Sequence, residues 1–180
     1  RQYIRFKNLL EIDKFSTKKV LSVLDIGCGF GDCCEYIKKI NPKISYTGVD
    51  INQSLIDIAK EKYPAGAFLC GDILEQKFYD LILNKSKKKF DIVIASGVFN
   101  YKLTKENQYN YICRMLEIMF SLSNIGVAAD FLTDQVDFTH KGAFHTNIGN
   151  LYTETRKKIT KKSVFRNDYL EYEFILYLLK

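Results

Sequence analysis

A glycine-rich turn between an apolar run and a helical pattern constrains the fold of this chain more than any other feature. The run Lys19–Asp25 is apolar and β-branched, which is typical of a buried parallel strand, and the turn Asp25–Gly31 follows it directly. Asp32–Ile40 then has helical spacing and ends before Asn41-Pro42. Glycines let a backbone approach a ligand closely, and a helix N-terminus offers free N–H groups. The segment therefore predicts a strand, a turn and a helix that cradle a nucleotide-like ligand.

The spacing of these glycines separates the turn from a dinucleotide-binding fingerprint. Such a fingerprint reads G-x-G-x-x-G, whereas the glycines here are Gly27, Gly29 and Gly31, and Asp32 occupies the place of the third fingerprint glycine. A carboxylate at that place would repel a pyrophosphate, because like charges repel strongly where water is excluded. The turn therefore favours a ligand without phosphate.

Beyond this unit, strand and helix patterns alternate along the chain. They predict strands at Ile44–Asp50, Ala67–Cys70, Phe90–Ser96 and Gly126–Leu132. They predict helices at Ser54–Lys62, with Ser54 as a possible N-cap, and at Leu74–Asn84, Lys105–Leu122 and Leu151–Ile159. The stretch His140–Asn150 is predicted to be a loop. Two final strands, Thr160–Arg166 and Glu173–Leu179, lie too close together for a crossover helix, so we expect them to pair antiparallel. The pattern predicts an α/β fold with five parallel strands and an antiparallel terminal pair.

Length and composition limit the class of protein. With 180 residues, of which 47% are apolar and 27% charged, the chain suits one domain over residues 1–180. We expect an N-terminal helix over about residues 1–18 and a core over 19–180. Apolar stretches fall short of the roughly 20 residues of a membrane span, so no membrane role is expected. Five cysteines without C-x-x-C spacing argue against a disulfide framework and a metal site, and favour the cytoplasm.

The charge pattern leaves two interpretations open. The formal net charge is +6, and basic residues cluster at Lys85–Lys89 and Arg156–Lys162. Such clusters form a solvated surface in most proteins, but in nucleic-acid-binding proteins they contact phosphates.

Two aspartates follow successive predicted strands. Asp50 ends the second strand about 20 residues beyond the glycines, where a carboxylate can accept both hydroxyls of a ribose. Asp72 follows the third strand, where a carboxylate can accept the exocyclic amine of an adenine while Ile73 packs against the ring. Either aspartate alone could simply cap the helix that follows it. Together with the glycine turn, the two predict a pocket for an adenosine.

Four segments of the chain resemble the successive motifs of class I S-adenosylmethionine-dependent methyltransferases. They are VLDIGCGFGD (Val23–Asp32), YTGVDINQSLIDIAKEKYP (Tyr46–Pro64), FLCGDI (Phe68–Ile73) and FDIVIASGVFNY (Phe90–Tyr101). The motifs occur in the order of that family, and the resemblance covers about residues 20–180. It implies a Rossmann-like three-layer sandwich whose sheet has seven mostly parallel strands, the last of them antiparallel.

The resemblance also implies a set of cofactor-binding residues. Gly27, Cys28, Gly29 and Gly31 would contact the methionine and ribose parts of S-adenosylmethionine. Asp50 with Ile51 would contact the ribose, and Asp72 with Ile73 would contact the adenine. Ser96 would line the methyl-donor side. Gln2 and Arg5 fit a subgroup of these enzymes that places such residues over the carboxylate of the cofactor. Arg5 could equally be an exposed helical arginine.

Methyl transfer from a sulfonium needs alignment of the acceptor, and a base only when the acceptor must lose a proton. Candidates near the ligand-binding edge of the sheet are Tyr101, Asp130, Asp134, His140 and His145, with His140 or His145 as a base and Asn100 or Tyr101 as an orienting group. Tyr101 could instead shield the cofactor from water.

Nucleic-acid substrates are disfavoured by the motifs. No proline pair follows the fourth strand, no Pro-Cys dipeptide occurs, and no recognition domain is inserted. A small-molecule acceptor with an oxygen or nitrogen nucleophile is the expectation. The alternatives are an RNA methyltransferase that uses the basic clusters and a non-catalytic cofactor-binding protein.

Overall fold

Strands and helices alternate through most of the chain in a computed structural model, which describes residues 1–104 and 106–180. The strands are β1 (Ser22–Ile26), β2 (Ser45–Asp50), β3 (Ala67–Cys70), β4 (Phe90–Ala95), β5 (Ser123–Leu132), β6 (Ser163–Arg166) and β7 (Glu173–Leu179). The helices are α1 (Gln2–Leu10), α2 (Asp32–Ile40), α3 (Gln53–Lys62), α4 (Gln76–Ser86), α5 (Gln108–Leu122) and α6 (Ile148–Lys158), with 3₁₀ turns at Glu11–Phe15 and Val98–Asn100.

The seven strands form one sheet in the order β3-β2-β1-β4-β5-β7-β6. Strands β1 to β5 pair in parallel, and β7 pairs antiparallel with both β5 and β6. The predicted fold class is confirmed, including the antiparallel last strand. This strand lies between β5 and β6, so the terminal pair joins the sheet through its second member.

Helices cover both faces of the sheet and make a three-layer sandwich. On one face, α1, α2 and α3 bury Leu9, Ile37 and Ile56 against Val23 and Ile92. On the other face, α4, α5 and α6 bury Phe78, Ile112 and Leu151 against Leu24 and Val93. Because the chain leaves β1 toward one face and β4 toward the other, the strand order reverses between these two neighbours. Ligands of open α/β sheets bind at such a reversal, outside the carboxyl ends of the strands.

Several boundaries differ from the sequence predictions, each for a local reason. The N-cap of α3 is Asn52, whose side chain accepts from the N–H of Ser54, so the prediction of Ser54 as the cap was wrong. Strand β5 begins at Ser123, directly after α5, instead of at Gly126. Helix α6 begins three residues before Leu151 because Asn147 caps it. The predicted start of α5, Lys105, lies outside the described residues.

Among residues 1–104 and 106–180, no helix combines the length and the apolar character needed to cross a bilayer.

Candidate functional site

A cavity of about 600 Å³ opens at the carboxyl ends of β1, β2, β3 and β4. Seven of the sequence-predicted cofactor residues and Tyr101 line it, together with side chains that the sequence did not single out. The predicted residues are Gly27, Gly29, Asp50, Ile51, Asp72, Ile73, Ser96 and Tyr101; the others include Ile26, Val49, Asn52, Leu55, Leu74, Val98, Leu103, Tyr111 and Met115. The volume falls within the range of small-molecule sites.

The glycine turn forms one wall of the cavity in a left-handed backbone conformation. Gly27 has φ +73°, and a Cβ there would lie 2.4 Å from the Cγ2 of Val98. The N–H groups of Gly27 and Cys28 both donate to the carbonyl of Val49, at 2.7 and 3.0 Å, and Gly29 donates to Asp50. Because these N–H groups are used within the protein, they are not arranged as a phosphate cradle. This agrees with the prediction of a ligand without phosphate.

Asp50 fixes the turn from the neighbouring strand. Its Oδ2 accepts from the N–H of Gly29 at 3.0 Å, and its Oδ1 accepts from the N–H of Asn52 at 2.9 Å. A carboxylate has about four acceptor positions, so each oxygen retains capacity for a ligand hydroxyl. Asp50 therefore combines a structural role, which resembles the capping alternative, with an open face toward the cavity.

Asp72 and Ile73 lie at the end of the cavity next to β3. The Oδ1 of Asp72 accepts from the N–H of Leu74 at 2.8 Å, and Ile73 is buried against the core. Tyr111, from α5, also lines this end. Burial raises the pKa of the Tyr111 phenol, and the nearby negative charge of Asp72 raises it further. An apolar side chain beside a carboxylate and a phenol suits a flat heterocycle with an exocyclic amine.

Asp130, near the end of β5, supports the opposite wall. Its carboxylate is buried and accepts from the Oγ of Ser96 at 2.6 Å and from the N–H of Gly97 at 2.7 Å. Sequence reasoning placed Asp130 only among the candidates near this edge. Its contact with Ser96 depends on the pairing of β4 with β5, which no local pattern reveals.

Three other predicted cofactor residues lie outside the cavity lining. Arg5 donates to both carboxylate oxygens of the buried Glu173, through Nε at 2.6 Å and Nη2 at 2.5 Å. Cys28 is buried and packs against Gly48 on the inner side of the turn, and Gly31 is the N-cap of α2. The structure therefore does not bring these residues to the cavity.

The candidate catalytic residues occupy different environments. Tyr101 is 73% exposed at the rim of the cavity. His140 packs edge-on against Phe138 outside it. The Nδ1 of His145 lies 2.8 Å from the carbonyl of Thr133, which can only accept, so Nδ1 carries the proton and the buried Nε2 has no partner among the described residues. Of the three, only Tyr101 lines the cavity.

Two further polar candidates connect elements near this edge of the sheet. Asn100 accepts from the N–H of Leu132 at 3.0 Å through its side chain, and Asp134 accepts from the Nδ2 of Asn147 at 2.7 Å. The first contact joins the 3₁₀ turn after β4 to the end of β5, and the second joins the loop after β5 to the N-cap of α6. Their side chains do not line the cavity.

Asp25, at the base of the glycine turn, is a fully buried carboxyl. It accepts from the phenol of Tyr46 at 2.6 Å. Burial raises the pKa of Asp25 to about 7, although the Tyr46 hydrogen bond lowers it, and the negative charges of Asp50 and Asp130 raise it further. The negative charges of Asp50 and Asp130, at the ends of β2 and β5, thus favour the neutral form of Asp25 and give this end of the cavity a negative potential.

The Asp25 carboxyl makes stability depend on pH in an unusual direction. Because its pKa is higher in the folded than in the unfolded state, the folded protein binds the extra proton, and this contribution to stability is lost as the pH rises through about 7. We expect the free energy of unfolding of the wild type, relative to Asp25→Asn, to fall by about 2.5 kcal/mol between pH 5 and pH 8, with most of the fall below pH 7. Urea titrations of both proteins at each pH measure it. Parallel pH profiles would contradict the assignment.

Comparison with known proteins places the chain among methyltransferases. Residues 24–117 match the family described as methyltransferase domain, which is more than half of the chain. A protein named as a methyltransferase in Mycobacterium tuberculosis is 23% identical over 166 residues, covering 88% of this chain and 93% of that protein. Another, from Invertebrate iridescent virus 6, is 31% identical over 116 residues, which is 64% of this chain but only 40% of the viral protein.

Solved structures share the fold over nearly the whole chain. The plantazolicin methyltransferase BpumL, solved in complex with SAH, matches with a TM-score of 0.73 at 17% identity, covering 99% of this chain and 83% of that one. An O-methyltransferase family protein from Burkholderia thailandensis matches with a TM-score of 0.69 at 12% identity, covering 98% of this chain and 57% of that one.

Proposed function

Because this chain belongs to the methyltransferase-domain family, we propose that it transfers the methyl group of S-adenosylmethionine to an oxygen or nitrogen of a small-molecule acceptor. The observation that carries this proposal is the single cavity in which the glycine turn meets Asp50 and Asp72 at neighbouring strand ends. Turn and carboxylates together match the hydroxyl groups and the amine of an adenosine.

The residues present fit the cofactor in shape and charge. S-adenosylmethionine contains an adenosine, a sulfonium cation and an amino acid, and carries no phosphate. The left-handed Gly27 keeps the wall open where a Cβ would meet Val98. The carboxylates of Asp50 and Asp130 supply the negative potential that a cation requires.

Each part of the cavity receives one part of the cofactor in this proposal. Asp50 accepts the two ribose hydroxyls, with the exposed Ile51 beside the sugar. Asp72 accepts the adenine amine through its Oδ2, while Ile73 packs against the ring. Gly27 and Gly29 contact the ribose and methionine parts, and Ser96 faces the methyl donor. Arg5 has a structural role in this proposal: its ion pair with Glu173 joins α1 to β7.

When bound, the cofactor would supply an activated methyl carbon that an aligned nucleophile can attack in line, with S-adenosylhomocysteine as the leaving group. What the chain contributes is alignment and exclusion of water. Tyr101 lies at the rim, where its phenol can contact an acceptor, and the buried Nε2 of His145 gives no direct route for a proton from the cavity. We therefore assign acceptor orientation to Tyr101 and no base role to His140 or His145.

The basic clusters argue for a small acceptor rather than RNA. Lys85–Lys89 leads into β4 and Arg156–Lys162 leads into β6, so both clusters lie at the edge where these strands begin. The cavity lies where β4 ends, roughly 20 Å away for a strand of this length. RNA held by the clusters would not reach the methyl donor directly. The names of the structural neighbours, which include plantazolicin and O-methyltransferases, also support a small acceptor.

An acceptor screen with radiolabelled cofactor tests this proposal. The purified protein is incubated with S-[methyl-³H]adenosylmethionine and small phenols, alcohols, amines and carboxylic acids, with ribosomal and transfer RNA as separate arms. We expect label in at least one small molecule, and Asp50→Ala should reduce it at least about tenfold at limiting cofactor. Label only in RNA would contradict the small-molecule proposal, and cofactor binding without transfer to any arm would favour the non-catalytic alternative.

A further inference from the structure

The hydroxyl of Ser96 is oriented by a buried carboxylate. Its Oγ lies 2.6 Å from the Oδ2 of Asp130, which can only accept when ionised, so the Ser96 proton points away from the cavity toward Asp130. Ser96 nevertheless lines the cavity. Its oxygen can therefore present only lone pairs there, and these are made more negative by the carboxylate behind them.

Among residues 1–104 and 106–180, no Lys, Arg or His forms an ion pair with Asp130. Its two hydrogen-bond partners, Ser96 and the N–H of Gly97, are neutral. The neighbouring Arg5 donates to Glu173 through both Nε and Nη2. Burial raises the pKa of Asp130, while the Ser96 hydrogen bond, the charge of Arg5 and the Gly97 hydrogen bond lower it. A positive charge in the cavity would favour the ionised form further.

The order of the strands places such a charge next to Ser96. Under the proposed function, Asp50 on β2 and Asp72 after β3 hold the adenosine, so the rest of the cofactor extends over the next strands, β1 and β4. Ser96 directly follows β4, and Asp130 lies on β5, one strand farther. The sulfonium end of the cofactor therefore lies on the Ser96 side of the cavity.

We propose that Ser96 and Asp130 form an electrostatic specificity element that binds the sulfonium cation of S-adenosylmethionine more tightly than the neutral thioether of S-adenosylhomocysteine. This inference rests on the proposed function. Its consequence is that the protein releases its product readily, because methyl transfer removes the positive charge that the pair stabilises. Asp130 acts as a positioning residue through Ser96 and through its own charge.

The substitution Asp130→Asn tests the charge while keeping the shape. The amide retains an oxygen for the Gly97 N–H and an amino group for Ser96. We expect Asp130→Asn to raise the Kd for S-adenosylmethionine roughly tenfold and the Kd for S-adenosylhomocysteine less than about twofold. The two effects differ because only S-adenosylmethionine carries the sulfonium charge that the Asp130 carboxylate stabilises. Isothermal titration calorimetry with each compound measures both constants, and thermal unfolding reports the fold.

A matched control and a second variant keep the test decisive. Tyr177→Phe removes a buried hydroxyl on β7 that donates to the carbonyl of Asn8, away from the cavity, and should leave both Kd values unchanged. If Asp130→Asn does not fold, Ser96→Ala is expected to shift the two Kd values in the same unequal way. Equal shifts for both compounds, or no shift, would overturn the inference. A wild type that binds neither compound would instead refute the proposed function.

Discussion

Replacing Asp50 by Ala is expected to weaken binding of S-adenosylmethionine by about 1.5–3 kcal/mol, or roughly 10- to 150-fold in Kd. The variant removes a charged acceptor for two ribose hydroxyls and also releases the N–H of Gly29, which Asp50 accepts at 3.0 Å. Both losses act on the same wall of the cavity. Isothermal titration calorimetry of wild type and variant measures the change.

Asp91→Ala is the matched control for this substitution. Asp91 also accepts backbone N–H groups, those of Leu21 at 2.8 Å and Ser22 at 3.0 Å, but it lies near the start of β4, away from the cavity. The control should lose stability and keep its affinity for the cofactor. If Asp50→Ala behaves in the same way, Asp50 only caps local structure and does not bind the ribose.

Gly27→Ala is expected to have the second large effect. The left-handed conformation costs a non-glycine residue about 1–2 kcal/mol, and the new Cβ would lie 2.4 Å from the Cγ2 of Val98. Displacing a β-branched side chain in a packed wall adds roughly 1–3 kcal/mol. Because Val98 itself lines the cavity, we expect at least a tenfold loss of cofactor affinity together with a lower melting temperature.

Gly29→Ala separates the cost of the left-handed backbone from the cost of the contact with Val98. Gly29 also has a positive φ, +53°, but a Cβ there would meet nothing within 4 Å. This variant should therefore show only the conformational cost of about 1–2 kcal/mol in urea unfolding. Equal losses in the two variants would show that the contact with Val98 is unimportant.

Local signals account for the parts of the fold that the sequence predicted best. Helix α2 has the predicted bounds because Gly31 begins it and Asn41-Pro42 ends it, and β3 has its predicted bounds as well. The family resemblance implied the seven strands and the antiparallel last strand, but strand order and the insertion of β7 between β5 and β6 were not predicted, since pairing between distant segments has no local signal. The start of β5 was misplaced because α5 runs into it without a turn.

The same distinction between local signals and contacts of distant segments applies to the candidate site. The positions of Gly27, Asp50, Asp72 and Ser96 in the cavity wall were predictable because each lies at or just after the end of a strand, and parallel strands end at one edge of the sheet. The environment of Arg5 could not be predicted, because Glu173, to which Arg5 donates, lies 168 residues farther along the chain.

Other contributors to the cavity depend on how α5 crosses the sheet. Tyr111 and Met115 occupy positions i and i+4 of that helix, which looks like any apolar helical face in the sequence. Cys28, by contrast, was predicted as a cofactor contact but is buried outside the cavity lining, because the motif does not indicate which way its side chain points.

A crystal structure of the protein with S-adenosylhomocysteine shows directly whether this cavity is the cofactor site. We expect both ribose hydroxyls on the carboxylate of Asp50, the adenine between Ile73 and Tyr111 with its amine on Asp72, and the sulfur beside Ser96. A nucleoside bound elsewhere, or bound in the cavity without contact to Asp50 and Asp72, would contradict it.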